Sequence, residues 1–148
     1  VYKRQWQSNV IGQWRSGFPF SVLAGVDSCN CAAASQLAQQ VGDPRRGFTK
    51  SIDQWFNTSA FARPATGTFG SSGRNILDGP SQISFDLSLF KTFKLAEQTS
   101  LQFRVEAFNA FNNTPFGQPG STVGTPTYGF IQSAGDPRVI QLAVKLRF

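Results

Sequence analysis

The sequence has no histidine and no methionine, only two cysteines, and few charges. Without histidine, a Ser-His-Asp triad and any His-ligated metal site are excluded. The eight acids are dispersed along the chain. They supply no obvious carboxylate pair for acid–base work. Residues 67–73 are glycine-containing but lack the Gly-Lys-Ser/Thr ending that holds phosphate and magnesium. The cysteines, Cys29 and Cys31, form a C-x-C pair with no further Cys or His to complete a zinc site. They read as two loop thiols, or as one strained local bridge in an oxidising compartment. The sequence therefore offers no catalytic, cofactor-binding or metal-ligating set, and the chain is not read as an enzyme.

Charge is scarce and unclustered. Charged residues make up 15% of the 148 residues, against about 25% in an ordinary soluble domain. The net charge is +6, but the basic residues form no dense run. A nucleic-acid partner leaves a clustered stripe, so none is expected. Long apolar runs are also missing. Nothing approaches the roughly 20 residues of a helical membrane span.

What the chain does have is strict alternation. Residues 139–148 read VIQLAVKLRF. Ile140, Leu142, Val144, Leu146 and Phe148 fall on one face; Gln141, Lys145 and Arg147 fall on the other. Period two with one apolar and one charged face marks a β-strand between unlike environments. Residues 82–94 repeat the pattern, with Ile83, Phe85, Leu87, Leu89 and Phe93 opposite Ser84, Asp86, Ser88 and Lys94. Phe90 and Lys91 break it; Lys91 sits on the apolar face near one end, where its long stem can snorkel. Residues 101–112 follow, with Leu101, Phe103, Val105, Ala107 and Phe111 opposite Gln102, Arg104 and Glu106. Residues 4–24 read as one long strand kinked near Pro19, or as two short ones meeting there.

The remaining stretches are loops. Residues 25–81 carry turn signals at Asp43-Pro44, Arg63-Pro64 and Gly79-Pro80. They also carry a small Ala-rich piece at 32–40, expected to form a helical turn or two. Phe48, Trp55, Phe56, Phe61 and Phe69 are spread through this loop and suggest that it packs on itself or on a neighbouring loop. Residues 113–137 form a second long loop. The tetrapeptide Gly-Asp-Pro-Arg occurs at 42–45 and again at 135–138, which reads as turn chemistry rather than a repeat.

The fold class expected is all-β: an antiparallel meander of about four long strands with two long loops, the closing part of a transmembrane β-barrel. A spanning strand needs about 9–11 residues. Short turns on the periplasmic side and long loops outside are the rhythm of an outer-membrane barrel. If Phe148 ends at the periplasm, the turn at 95–100 is periplasmic and both 25–81 and 113–137 lie outside. Asp86, Lys94, Arg104, Glu106, Lys145 and Arg147 then face the lumen, and Glu106 and Lys145 are candidates for a cross-strand pair. In the outer loop, Arg45, Arg46, Trp55 and Arg74 are candidate ligand or surface contacts. The chain opens on Val-Tyr-Lys-Arg rather than a Met and an apolar run. In an outer-membrane protein that predicts a fragment of a longer chain.

The segments 85–93 (FDLSLFKTF) and 101–112 (LQFRVEAFNAFN) resemble the end of a TonB-dependent receptor barrel. The likeness is to the large Oar-like receptors with a carboxypeptidase-regulatory-like amino-terminal domain. Trp55-Phe56-Asn57, Ala60-Phe61, Gly73-Arg74-Asn75 and Gly79-Pro80 are similar to that group's long loop. The terminal Phe148, with Ile140, Leu142, Val144 and Leu146, is similar to the signal read by the barrel-assembly machinery. Cys29-Asn30-Cys31 matches no pattern of the family.

The resemblance implies a location in the bacterial outer membrane and a barrel of about 22 strands around a TonB-coupled plug. Of these, this chain supplies about four strands and none of the plug. The implied partners are outer-membrane lipid and lipopolysaccharide, the assembly machinery and the rest of the receptor. Two alternatives stay open: a soluble or secreted all-β binding module, and an oligomeric anchor with four strands from each chain. The module predicts a packed layer over Phe85, Leu87, Phe103, Val105, Leu142 and Val144; the receptor predicts none.

Overall fold

A computed structural model describes residues 6–32 and 36–148. It divides into two compact units. The first holds residues 6–15, 82–115 and 135–148, and the second holds residues 16–81 and 116–134.

The first unit is a four-stranded antiparallel sheet. The chain order of its elements is β1 (Trp6–Arg15), β6 (Gln82–Lys94), β7 (Ser100–Phe108) and β8 (Val139–Arg147). The same order holds across the sheet. The four strands run to 10, 13, 9 and 9 residues, the length that crosses a bilayer at a tilt. The β6–β7 hairpin closes through Leu95 and Ala96, whose N–H groups both donate to the Thr99 carbonyl. At the other end of the sheet Arg15 stands opposite Gln82 and Phe108 opposite Val139. Both long connections therefore leave from one end, and the tight turn from the other.

Two strand limits differ from the sequence expectation by more than one residue. The strand expected over 4–24 stops at Arg15; its first two residues lie outside the described ones. Pro19–Phe20 forms β2 in a separate two-stranded sheet with β5 (Leu77–Asp78). The switch has a steric and a hydrogen-bonding cause. Pro19 has no N–H for the ladder. Gly17 lies so close to the Gly79 carbonyl that a Cβ there would collide with it, and Gly79 N–H donates to the Phe18 carbonyl at 2.9 Å.

The strand expected over 101–112 ends at Phe108. Asn109 and Asn112 adopt φ of 48° and 54°, the left-handed region where Asn is enriched among L-residues. Asp86 Oδ1 accepts the Asn109 N–H at 2.9 Å, and Asn109 Nδ2 donates to the Asn113 carbonyl at 2.8 Å.

The second unit has its own core. Val22, Ala38, Phe56, Ala60, Phe61 and Leu77 are buried together, with Phe20, Phe48, Trp55 and Tyr128 packed against them. Phe56 is the centre. Its ring meets Phe20 at 5.8 Å, Phe61 at 6.0 Å and Tyr128 at 5.4 Å, the last two edge-on, the geometry that aromatic quadrupoles favour. Asn57 caps the 3-10 turn Thr58–Ala60 by accepting the Ser59 N–H. β3 (Gln39–Gln40) pairs with β4 (Phe61–Ala62). The helical turn expected within 32–40 is not found in the described part: Leu37 bridges to Leu23 and residues 39–40 are extended. Its residues 33–35 lie outside the described ones. The long loop thus packs on itself, and residues of the second loop complete its core.

Candidate functional site

Register assigns every strand side chain to one of two faces. On the first, Val10, Leu87, Ala107 and Ile140 share one cross-strand row. The next row is Ser8, Leu89, Val105 and Leu142, and the third is Trp6, Lys91, Phe103 and Val144. This face is apolar and, among the described residues, uncovered: Val10 is 62% exposed, Leu142 74% and Val144 63%. Ile140, Leu142, Val144 and Leu146, expected in an assembly signal, all lie on it; Phe148 follows the end of β8 and is exposed. Lys91 is its one cation among the described strand residues. The Lys91 ammonium sits 4.5 Å from the Trp6 ring centroid and 5.4 Å from that of Phe93, a cation–π arrangement.

The second face gathers Asp86, Lys94, Arg104, Glu106, Lys145 and Arg147. Their charges are graded along the strands. Lys94, Ser100 and Arg147 form the row nearest the tight turn, followed by Thr92, Gln102 and Lys145. Asp86 sits toward the end from which the long connections leave. Arg104 stands opposite Phe90, its guanidinium 4.8 Å from the ring centroid. It also pairs with Glu106 on its own strand at 3.0 Å. The register separates Glu106 from Lys145, because Glu106 faces Gln141 and Lys145 faces Gln102. The expected Glu106–Lys145 pair is therefore replaced by Arg104–Glu106.

At the loop end of this sheet a cleft of about 460 Å³ is lined by Asp86, Asn109, Asn113, Asp136 and neighbours. Asn109 and Asp136 were not among the expected site residues. The run Asn109-Ala110-Phe111-Asn112-Asn113 is a turn signal that marks the spot. Asp136 joins only because its carbonyl accepts Asn109 Nδ2 at 3.2 Å, a contact across a long loop.

In the second unit, Arg45 and Trp55 come together around a cleft of about 190 Å³ with Phe48, Lys50 and Asp78. Trp55 Nε1 donates to the Asp78 carbonyl at 2.8 Å, and Arg45 donates to the Ile76 carbonyl at 2.8 Å. The Lys50 ammonium caps the Trp55 ring at 3.8 Å. Arg46 instead pairs with Asp43 at 3.3 Å, and Arg74 is exposed and does not line the cleft. Burial pushes the Tyr128 phenol up from 10.0 to about 12, and its hydroxyl donates to the Thr58 carbonyl at 3.2 Å. Cys29 and Cys31 form a disulfide, the second of the two states left open by the sequence.

A model of the outer membrane beta barrel domain matches residues 3–141. No curated protein and no solved structure matches the chain.

Proposed function

The chain belongs to the outer membrane beta barrel domain family, and from that premise we propose that it is part of a TonB-dependent receptor of the Oar-like kind. In this reading β1, β6, β7 and β8 are closing strands of the barrel. The second unit is the exterior portion, and the protein takes part in uptake of a ligand across the bacterial outer membrane. Its role is binding and transport rather than catalysis. The family itself points to an outer-membrane location.

One observation carries the reading. Among the described residues, the apolar face of the sheet runs through all four strands without a covering layer, and Val10, Trp14, Leu142 and Val144 stay open to solvent. A soluble module would have to bury such a face, since large contiguous apolar patches mark interaction or membrane surfaces. Four strands are fewer than the roughly eight of the smallest single-chain barrel. Further strands must therefore close the wall. The charged face then turns to the lumen and the plug. Arg45, Arg46, Trp55 and Arg74 meet lipopolysaccharide or ligand outside.

Fractionation tests the membrane part. The protein should pellet with outer membranes, require detergent for extraction, and show heat-modifiable mobility. Trypsin added to intact cells should cut after Arg45, Arg46 or Arg74. Recovery as a freely soluble, cooperatively folding monomer would sink the proposal. The coding sequence upstream of Val1 tests the receptor part: an in-frame plug domain supports it, and a start codon with a signal peptide directly before Val1 overturns it.

A further inference from the structure

The Cys29–Cys31 disulfide is a reactive group that the uptake role does not use, and its two sulfurs are not equivalent. Cys31 is exposed and Cys29 half-buried, so an incoming nucleophile meets Cys31 Sγ first. Beside Cys29 stands the amide of Gln36, a residue only 6% exposed. Its Oε1 accepts the Ser28 hydroxyl at 2.8 Å, which fixes which way the amide points. Its Nε2 lies 2.6 Å from Cys29 Sγ and 2.6 Å from Asp27 Oδ1, but 3.7 Å from Cys31 Sγ. An amide carries two N–H groups, one for each of those near acceptors. Asp27 Oδ1 is 3.3 Å from Cys29 Sγ and 3.9 Å from Cys31 Sγ, so the amide distinguishes the sulfurs more sharply than the carboxylate does. A hydrogen-bond donor favours the charged form of its acceptor. Cys29 is therefore the better leaving group of the pair.

The loop around the bond is held in a costly conformation. Asn30 and Ala32 have φ of 53° and 58°, and the left-handed region is unfavourable for alanine. The Ala32 N–H donates to Asp27 Oδ2 at 2.9 Å and the Cys31 N–H to Oδ1 at 3.3 Å. Such backbone strain persists only where the surroundings impose it, and the disulfide is one of those constraints. The bond spans a sequence separation of two, and the chain-entropy stabilisation of a disulfide is smallest for so short a loop. The buried core of this unit contains neither cysteine, so its packing does not depend on the bond.

We propose that this bond is a thiol-exchange site that takes small cationic thiols, joining them to Cys31 as a mixed disulfide with Cys29 as the leaving group. The thiolate of the incoming molecule attacks Cys31 Sγ. One S–S bond forms there as the Cys29–Cys31 bond breaks, and Cys29 Sγ departs with the electron pair toward the Gln36 N–H. The proton that the incoming thiol gave up ends on Cys29, whose S–H then donates to Asp27 Oδ1. The captured sulfur is oxidised to the disulfide level and Cys29 is reduced to a thiol. The Asp27 carboxylate beside both sulfurs attracts a thiol that carries an ammonium group and repels one that carries a sulfonate. This chemistry stands independently of the uptake reading.

The test uses the full chain, purified with the disulfide intact, at neutral pH and low salt. It is mixed with excess cysteamine, mercaptoethanol or mercaptoethanesulfonate, and rates are compared per thiolate present. Free thiols are trapped at intervals with N-ethylmaleimide, and intact mass with peptide mapping locates the adduct. Cysteamine should add one molecule per chain, on Cys31, with the trapping reagent on Cys29. It should react at least about fivefold faster than mercaptoethanesulfonate, the order of effect that a unit charge about 4 Å away exerts in water. Mercaptoethanol should fall between them, and Asp27→Asn should lose most of the preference. A first adduct on Cys29, or no adduct in the time that cysteamine takes to open oxidised glutathione, overturns the proposal on wild-type protein alone. A charge preference unchanged in Asp27→Asn overturns it as well.

Discussion

Replacing Leu142 with Arg should destabilise the membrane-folded protein by about 2–4 kcal/mol, the cost of a cation on the lipid face near the bilayer midplane. Leu142 is the residue to choose for two reasons. It lies near the centre of β8, in the row with Leu89 and Val105. It is also 74% exposed, so little of the cost can come from broken packing within the chain. On a water-facing surface the same change would fall within about 0.5 kcal/mol of zero. The two environments thus differ by a factor of about 30 to 700 in the folded-to-unfolded ratio, at about 1.4 kcal/mol per tenfold. Gln141→Arg is the matched control. It is the next residue, on the opposite face, across from Glu106, and should be near neutral. Leu146→Arg, close to the strand end, should cost only about 0–1 kcal/mol. Urea titration of the bilayer-folded protein, read by heat-modifiable mobility, gives all three values. Equal costs for Leu142→Arg and Gln141→Arg would refute the face assignment.

Phe56→Ala should destabilise the second unit by about 3–5 kcal/mol, as for a buried aromatic truncated in a core, seen as faster proteolysis there with the sheet unchanged. Stability of that unit should be full below pH about 10 and decline as pH rises toward 12, because folded Tyr128 keeps its proton, at about 12, after the unfolded chain has lost it near 10.0. Tyr128→Phe should lose the bond to the Thr58 carbonyl, about 0.5–1.5 kcal/mol, and flatten that decline in a pH series of melts. Asn109→Ala should be the more damaging of two changes at that site and Asn109→Gly the milder, since glycine accepts the φ of 48° without strain; equal losses would place the residue's value in its side-chain bonds alone.

The strands were legible because alternation survives any uncertainty about partners. Leu101 to Ala107 and Ile140 to Leu146 carry their face in the sequence itself, and the register only aligns them. Strand ends were less legible. Phe20 and Val22 continue the alternation past Arg15, yet they serve a different sheet and core. Period two reports an extended backbone with two environments, and a short strand in a loop unit satisfies it as well as a spanning one. The loop core was half legible. Its aromatic content announced burial, but nothing local pairs Phe56 with Tyr128 or Trp55 with Lys50. The cleft at Asp86 needed Asn109 and Asp136, brought together only by a turn and a returning loop.

In the proposed barrel, the direction in which the sheet faces follows from what each orientation would place in hydrocarbon. Turning the second face outward would expose Asp86, Lys94, Arg104, Glu106, Lys145 and Arg147 to lipid. Lys94 and Arg147 stand at a strand end and would cost little there. Arg104 and Lys145 lie further along the strands, where each cation costs up to about 2–4 kcal/mol. The Arg104–Glu106 pair offsets part of this, yet a pair taken out of water still carries the desolvation of both ions. Turning the first face outward leaves Lys91 as the one charge among the described strand residues. It sits in the row of Trp6, toward the turn end, with its ammonium over the indole. From there a four-carbon stem reaches the interface, and Trp is enriched at that depth. The polar face is not uniformly polar: Ile11, Phe90 and Phe108 also point into it. Apolar residues tolerate a wet lumen at a modest cost in exposed area, whereas ions do not tolerate lipid. In that proposed barrel, the asymmetry between those two errors would set the orientation, more than the number of apolar residues on either side.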